Sequence, residues 1–338
     1  MFVLMFQMPR TKTVARKNKP PSRKAAGSSQ AGPSSSRAQR RYPPHLKKEH
    51  EAKYDAMLKE KLLKPNFTPN WGLIAKYGFT PQFDHFFEDP AWRRLLSIDE
   101  EVYSSLSFDF IATFKIRFSR STGLENSVSF YCQGGYHYLE MREFIKCFDI
   151  YDDAYVDSDE FAQLPDEFPR GTNQDNIWTD MSRGHYDSSK SKGSQFKDPA
   201  VRTLHYILAR STTGRGDSQG VVSASDLYQL WSMTTGTRVN VGLVAVWCLK
   251  KQCDLGHREV FVGPWISRII KNYGFFPARA PKDSVGHSHP MPETALRRWK
   301  VVPPNLETPA APADLEPSRG DPGIAARLVS DIEQIKRT

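Results

Sequence analysis

Between residues 46 and 276 the hydrophobic positions recur at spacings of three and four far more often than at two, which predicts a mainly helical body. Over 46–64, Tyr54, Met57, Leu58 and Leu62 form one stripe, Glu49/Lys53 and Asp55/Lys59 are favourable i,i+4 pairs, and Pro65 ends the helix. Asp89-Pro90 opens a short helix through Trp92, Leu95 and Leu96, and Ser97 with Glu100 predicts a second cap directly after it. Met141, Phe144, Ile145 and Phe148 share one helical face. Further on, Asp198-Pro199 opens a helix burying Val201, Leu204, His205 and Leu208, and Ser223 with Asp226 boxes one carrying Leu227, Leu230 and Trp231. Asn240 caps the next. Pro264 opens the last, with Ile266, Ile269, Ile270 and Tyr273 inward.

Alternation appears in fewer places. Phe110, Ala112, Phe114, Ile116 and Phe118 alternate with Ile111, Thr113, Lys115 and Arg117, the period expected of a strand with one buried face. A polar loop over 119–126 leads to Val128, Phe130 and Cys132, which predicts one antiparallel β-hairpin at about 108–133, closed by Gly134-Gly135. A small strand is expected around Val260 and Val262. The fold class is therefore α+β, predominantly α-helical: a helical body with one antiparallel hairpin and disordered N- and C-terminal tails. The apolar run 239–249 covers 11 residues, half of what a bilayer-crossing helix needs, and reads as a buried helix.

Charge and proline set the domain limits. The chain of 338 residues has a net charge of +9, yet residues 1–48 alone hold 12 Lys or Arg and no acid, and 49–276 hold 26 bases against 30 acids. The basicity thus belongs to an arm and not to the body. Ten of the 24 prolines lie in 277–322. Segments rich in proline, serine and charge bury too little surface to offset the entropy of ordering. This predicts a disordered basic arm over 1–45, a mostly helical domain over 46–276, and a Pro-rich flexible tail over 277–338 with a short terminal helix at 324–335. Eight acids and no base in 149–167 predict a polar acidic loop, across which 67–150 and 197–276 form either one core or two subdomains.

Candidate chemistry adds little. Tyr151-Asp152-Asp153 lacks the residue that separates Tyr from the carboxylates in the polymerase signature, and a calcium loop begun at Asp157 would put Ala162 and Phe168 where Gly and Glu are required. Cys248, Cys253 and His257 hint at zinc, but no fourth ligand follows, and buried apolar thiols are the stronger reading. His137 and His205 read as packed histidines. No phosphate loop or nucleophile with its base is recognisable, so no catalytic residue, metal, cofactor or small-molecule substrate is assigned. The sequon at Asn66-Phe67-Thr68 and the Arg215-Gly216-Asp217 triplet are read as chance. Four cysteines in a chain of this length, and an apolar start followed by basic residues, predict an intracellular protein, nuclear or cytoplasmic, with no membrane partner.

The arm is the candidate nucleic-acid-binding segment: Arg10, Lys12, Arg16, Lys17, Lys19, Arg23, Lys24, Arg37, Arg40, Arg41, Lys47 and Lys48. Such a chain binds phosphates by releasing counterions, without sequence preference and with a steep dependence on salt. Docking of this arm onto the acidic 149–167 segment, in competition with nucleic acid, is a further expectation.

The run from Phe130 through Gln133-Gly134-Gly135-Tyr136-His137-Tyr138 to Phe144 resembles the plant Athila-type retrotransposon first-open-reading-frame family. So do Thr203 to Arg210, Ser225 to Trp231, Trp71 to Tyr77 and Val241-Gly242-Leu243. The resemblance implies a gag-like structural product that self-associates as a homo-oligomer and packages element RNA, with no enzymatic role. No protease, reverse-transcriptase, integrase or zinc-knuckle motif accompanies it. The alternative expectation is a transposon-derived nuclear protein that uses the same arm on DNA or chromatin.

Overall fold

The computed structural model describes residues 46–60, 62–119, 123–215, 220–254, 259–298 and 301. All of them fall in one compact unit built on a single continuous hydrophobic core that runs from Leu46 to Val301. The fold is α+β and helix-dominated. Phe110, Phe144, Phe148, Trp265 and Leu204, from both sides of the acidic 149–167 segment, share that core at 1% exposure or less.

Helix α1 (Lys48–Glu60) stops four residues earlier than its stripe suggests. Leu62 and Leu63 leave the helix to bridge Val260, with Val260 N donating to Leu62 O at 2.8 Å. The strand expected around Val260 and Val262 shrinks to that bridge. A two-residue strand β1 (Phe67–Thr68) and three short helices follow: α2 (Trp71–Lys76), α3 (Thr80–Phe86) and α4 (Pro90–Leu96). Asp89 caps α4 as expected, accepting from Ala91 N at 2.9 Å, and Trp92, Leu95 and Leu96 are buried. The second cap does not form. Ser97 ends α4, and Glu100 instead accepts from Arg268 Nε at 2.6 Å.

After strand β2 (Val102–Tyr103), residues expected to begin the hairpin form a helix, α5 (Ser104–Thr113). Every side chain from Leu106 to Thr113 is buried, because α5 lies between α1, the sheet and a later helix. A segment buried on all sides has no polar face, so its phenylalanines mimic a period of two. Phe110 meets Phe130 at 4.5 Å between ring centroids and Phe114 meets Phe144 at 5.7 Å. Burying such rings contributes about 2–3 kcal/mol each. The Lys53 ammonium donates to Ile111 O at 2.8 Å, placing a cation at the carboxyl end of α5.

Only the second half of the predicted first strand is extended, as β3 (Lys115–Arg117). It pairs antiparallel with β4 (Ser127–Cys132), and β4 pairs in turn with β5 (Gly135–Glu140), giving a three-stranded sheet. Gln133 (φ 51°) and Gly134 (φ 79°) make the tight turn between β4 and β5, the left-handed pair that hairpins of this length demand. Helix α6 (Met141–Lys146) follows at once, with Met141, Phe144 and Ile145 in the core as the spacing predicts.

The acidic 149–167 segment is not a loop. It forms two one-turn helices, α7 (Asp153–Val156) and α8 (Asp159–Ala162), pinned by fully buried Val156 and Phe161. Next come α9 (Gln174–Met181), α10 (Pro199–Ser211), α11 (Ala224–Thr235), α12 (Val241–Asp254) and α13 (Gly263–Asn272), the last four at the expected places. Their caps match the residues read for them: Asp198 accepts from Ala200 N at 2.7 Å, Ser223 and Asp226 form a reciprocal box, and Asn240 accepts from Leu243 N at 2.9 Å.

The domain does not end at residue 276. Strand β6 (Ser284–Gly286) pairs antiparallel with β2, β7 (His289–Pro290) pairs parallel with β1, and α14 (Glu293–Arg298) packs Leu296 into the core beside Met291. The proline-rich composition hid this return, because a few well-placed apolar groups and cross-chain hydrogen bonds suffice to hold it. The predicted helix at 324–335 lies outside the described residues.

Candidate nucleic-acid interface

Of the twelve arm cations, Lys47 and Lys48 are described, and both are exposed where the chain runs into α1. Arg10, Lys12, Arg16, Lys17, Lys19, Arg23, Lys24, Arg37, Arg40 and Arg41 lie outside the described residues. Glu49, next to Lys48, meets Lys115 of β3 at 3.1 Å. Lys47 and Lys48 therefore stand next to a residue that meets the edge strand of the sheet.

The face of that sheet turned away from the core carries an unusual set of side chains. Strand alternation puts Ile116, Val128, Phe130, Cys132 and Leu139 inward. The register puts Lys115 opposite Ser129 and Ser129 opposite Tyr138, and sets Tyr131 opposite Tyr136. Tyr136 and Tyr138 are each 49% exposed. Arg117 joins them, donating to the Tyr136 hydroxyl at 2.8 Å and lying 5.7 Å from the Tyr138 ring centroid. Ser127 and Ser129, both buried, lie on the central strand between the cations and the rings. Glu140 stands at the far end of the face. Sequence reading missed this platform because the hairpin was closed at 134–135, although the alternation of Tyr136 and Tyr138 was the available signal.

A separate open cleft of about 750 Å³ is lined by Arg94, Asp149, Tyr151, Asp152, Asp153 and Arg268 among others. Its cations are already engaged: Arg94 donates to Ile150 O at 3.2 Å, and Arg268 lies between Glu100 and Asp149. The Tyr151 hydroxyl accepts from Val241 N at 3.0 Å, so this Tyr-Asp-Asp run serves packing against α12. No imidazole or thiol lines the cleft. Two further acids of 149–167 are likewise met by cations of the body, with Lys146 on Asp157 at 3.0 Å and Arg238 on Glu160 at 2.8 Å.

The remaining sequence candidates are structural in setting. Cys248 and Cys253 are buried, and burial pushes both thiols up to about 12; His257 lies outside the described residues. His205 is fully buried against Phe196, with its imidazole 4.0 Å from the Asp226 carboxylate. His137 packs on Phe275 at 4.1 Å between centroids. Arg215 of the Arg-Gly-Asp triplet pairs with buried Asp226 and donates to Val221 O at 2.5 Å, which withdraws it from any outside partner. Asn66 of the sequon is fully buried.

These features define a helix-dominated α+β protein whose three-stranded sheet has an aromatic and cationic outer face. Comparison with known protein families, curated proteins and solved structures gives no match. No helix among the described residues is long and apolar enough to cross a membrane.

Proposed function

We propose that this protein is a non-enzymatic, gag-like structural protein derived from a retrotransposon, which holds RNA through its basic N-terminal arm and self-associates through its helical body. The observation that carries the reading is the charge partition: 12 bases and no acid in residues 1–48 against a mildly acidic remainder. The exposed Lys47 and Lys48 continue that charge up to the body. The sequence resemblance to the Athila-type family supplies the self-association and the retrotransposon lineage.

The test uses the full chain beside a variant with the ten Lys and Arg from Arg10 to Arg41 replaced by Gln. Binding of a labelled RNA is followed by fluorescence anisotropy across a salt series, and mass by light scattering. The intact chain is expected to bind with a steep salt slope, about 0.7 per phosphate neutralised on a single strand, and the variant with a much shallower one. Assembly is expected to survive in the variant. Equal slopes for the two chains, or a monomer at every concentration, would remove the gag-like division of labour.

A further inference from the structure

We propose that the outer face of the β3–β4–β5 sheet is a second nucleic-acid site, one that takes unpaired bases of a single strand by stacking them on Tyr136 and Tyr138. It rests on the nucleic-acid reading above and adds a contact that the arm cannot make. A cationic arm neutralises phosphates, which single and double strands both present. Exposed aromatic rings beside cations accept only bases that are free of a partner.

Four observations converge on this face. Tyr136 and Tyr138 are half exposed on one strand, two residues and hence about 7 Å apart, with Tyr131 packed on the first ring and Arg117 near the second, so about half of each ring is left to a base. Neither ring joins the hydrophobic core, which takes Leu139 from the same strand instead. Arg117 is fixed against both rings, by a hydrogen bond to one and by its position over the other, and so is held ready for a phosphate between two stacked bases. Lys115 lies across Ser129 from Tyr138 and meets Glu49, in the first turn after Lys47 and Lys48. Lys115 and Arg117 are offset by Glu49 and Glu140, so the surplus charge that favours a polyanion comes from exposed Lys47 and Lys48 beside Glu49. Rings and cations together fit a single-stranded nucleic acid better than a second protein surface.

The experiment uses the full chain and four variants: Tyr136→Ala/Tyr138→Ala, Tyr136→Phe/Tyr138→Phe, Arg117→Glu, and the arm variant described above. Affinity is measured for an unstructured oligoribonucleotide, the matching deoxyribonucleotide and a duplex, at salt high enough to screen most of the arm's contribution. The alanine pair is expected to lose 10-fold or more in affinity for both single strands with duplex binding and salt slope unchanged, and the phenylalanine pair to retain it. A larger loss for the ribonucleotide than for the deoxyribonucleotide would assign the face to RNA; equal losses assign it to single strands of either kind. Unfolding midpoints and Arg117→Glu, which keeps both rings, separate lost binding from lost folding. If the alanine pair binds single strands as the parent does while the arm variant does not, the face proposal is wrong and the arm reading stands. If the parent binds no nucleic acid, both fall. If the alanine pair instead lowers the assembled mass with RNA affinity intact, the face is a contact between copies and this proposal is overturned.

Discussion

Gly242, in the first turn of α12, faces Ile145 of α6 so closely that a Cβ built on it would lie 2.5 Å from the isoleucine Cγ2. In an open helix, Gly→Ala stabilises by about 1 kcal/mol. Here the added methyl has to displace a side chain that is itself 1% exposed, and overpacking of this kind costs about 1–3 kcal/mol. Gly242→Ala is therefore expected to lower stability on balance. In an Ile145→Ala background, already weakened by about 2–5 kcal/mol, the same change is expected to be neutral or favourable. Urea midpoints for the four chains form the double-mutant cycle, and an equal penalty in both backgrounds would show that this contact does not limit the packing.

How far the sequence speaks depends on whether the deciding information is local. The caps Asp198-Pro199 and Ser223 with Asp226 act within one turn, so α10 and α11 were legible at their starts. The 104–113 helix was not, because its surroundings are apolar on every side and erase the polar face that distinguishes a helix from a strand. The return of 284–301 was invisible for a different reason. Ser288 donates to Ile98 O and Met291 N to Thr68 O, contacts roughly 200 residues apart that no window along the chain can register. In the candidate site, the charge of the arm was plain from composition. The tyrosine face needed the β4–β5 register, which alone places Tyr131, Tyr136 and Tyr138 together.

His205 makes a pH dependence. Burial holds its imidazole below the ordinary histidine value, with the nearby Asp226 carboxylate pulling the other way, and His50 is lowered by burial as well. Above about pH 6.5 both folded and unfolded chains carry these rings neutral, so their contribution is fully present. Below it the unfolded chain takes up the protons first, and stability falls as the pH falls. One ring kept neutral in the folded state costs up to about 1.4 kcal/mol at pH 5.5. Exposed His85 and His185, raised by Glu88 and Asp175, act in the opposite sense but are common to parent and variant. The loss in stability between pH 7.5 and 5.5 is expected to be smaller in His205→Gln than in the parent, read from urea midpoints. Identical losses would show that His205 does not titrate between the two states.

Asp226 is fully buried and accepts from Ser223 N at 2.6 Å and Ser223 Oγ at 2.8 Å as well as from Arg215. Removing the guanidinium leaves a carboxylate without its counter-charge in the interior, which costs about 3–5 kcal/mol when the site has no other donor. The two serine donors place Arg215→Ala at the lower end of that range. Arg215→Ala/Asp226→Asn is expected to be more stable than Arg215→Ala alone, since the second change removes the uncompensated charge. Thermal unfolding of the three chains decides it. A single variant within about 0.5 kcal/mol of the parent would mean that the buried pair carries no weight.

Met291 makes the last prediction, and it bears on where the domain ends. Its side chain is fully buried, its amide donates to Thr68 O at 3.0 Å, and its carbonyl accepts from Asn70 Nδ2 at 3.1 Å, so it joins the C-terminal return to β1 and α2. Met291→Ala is expected to cost about 2–5 kcal/mol, the range for emptying a buried site of this size. A chain ending at residue 276 loses more: β6, β7 and α14 go together, uncovering Val102 and Ile98 and leaving the buried Asn66 side chain without its Ser288 partner. Hydrogen exchange at β1 and β2 is expected to speed up strongly in that shortened chain, while α10 and α11, which the return does not pair with, exchange more nearly as in the parent. Unchanged protection at Val102 and Thr68 would show that the domain is complete at residue 276 and that the return only rests on its surface.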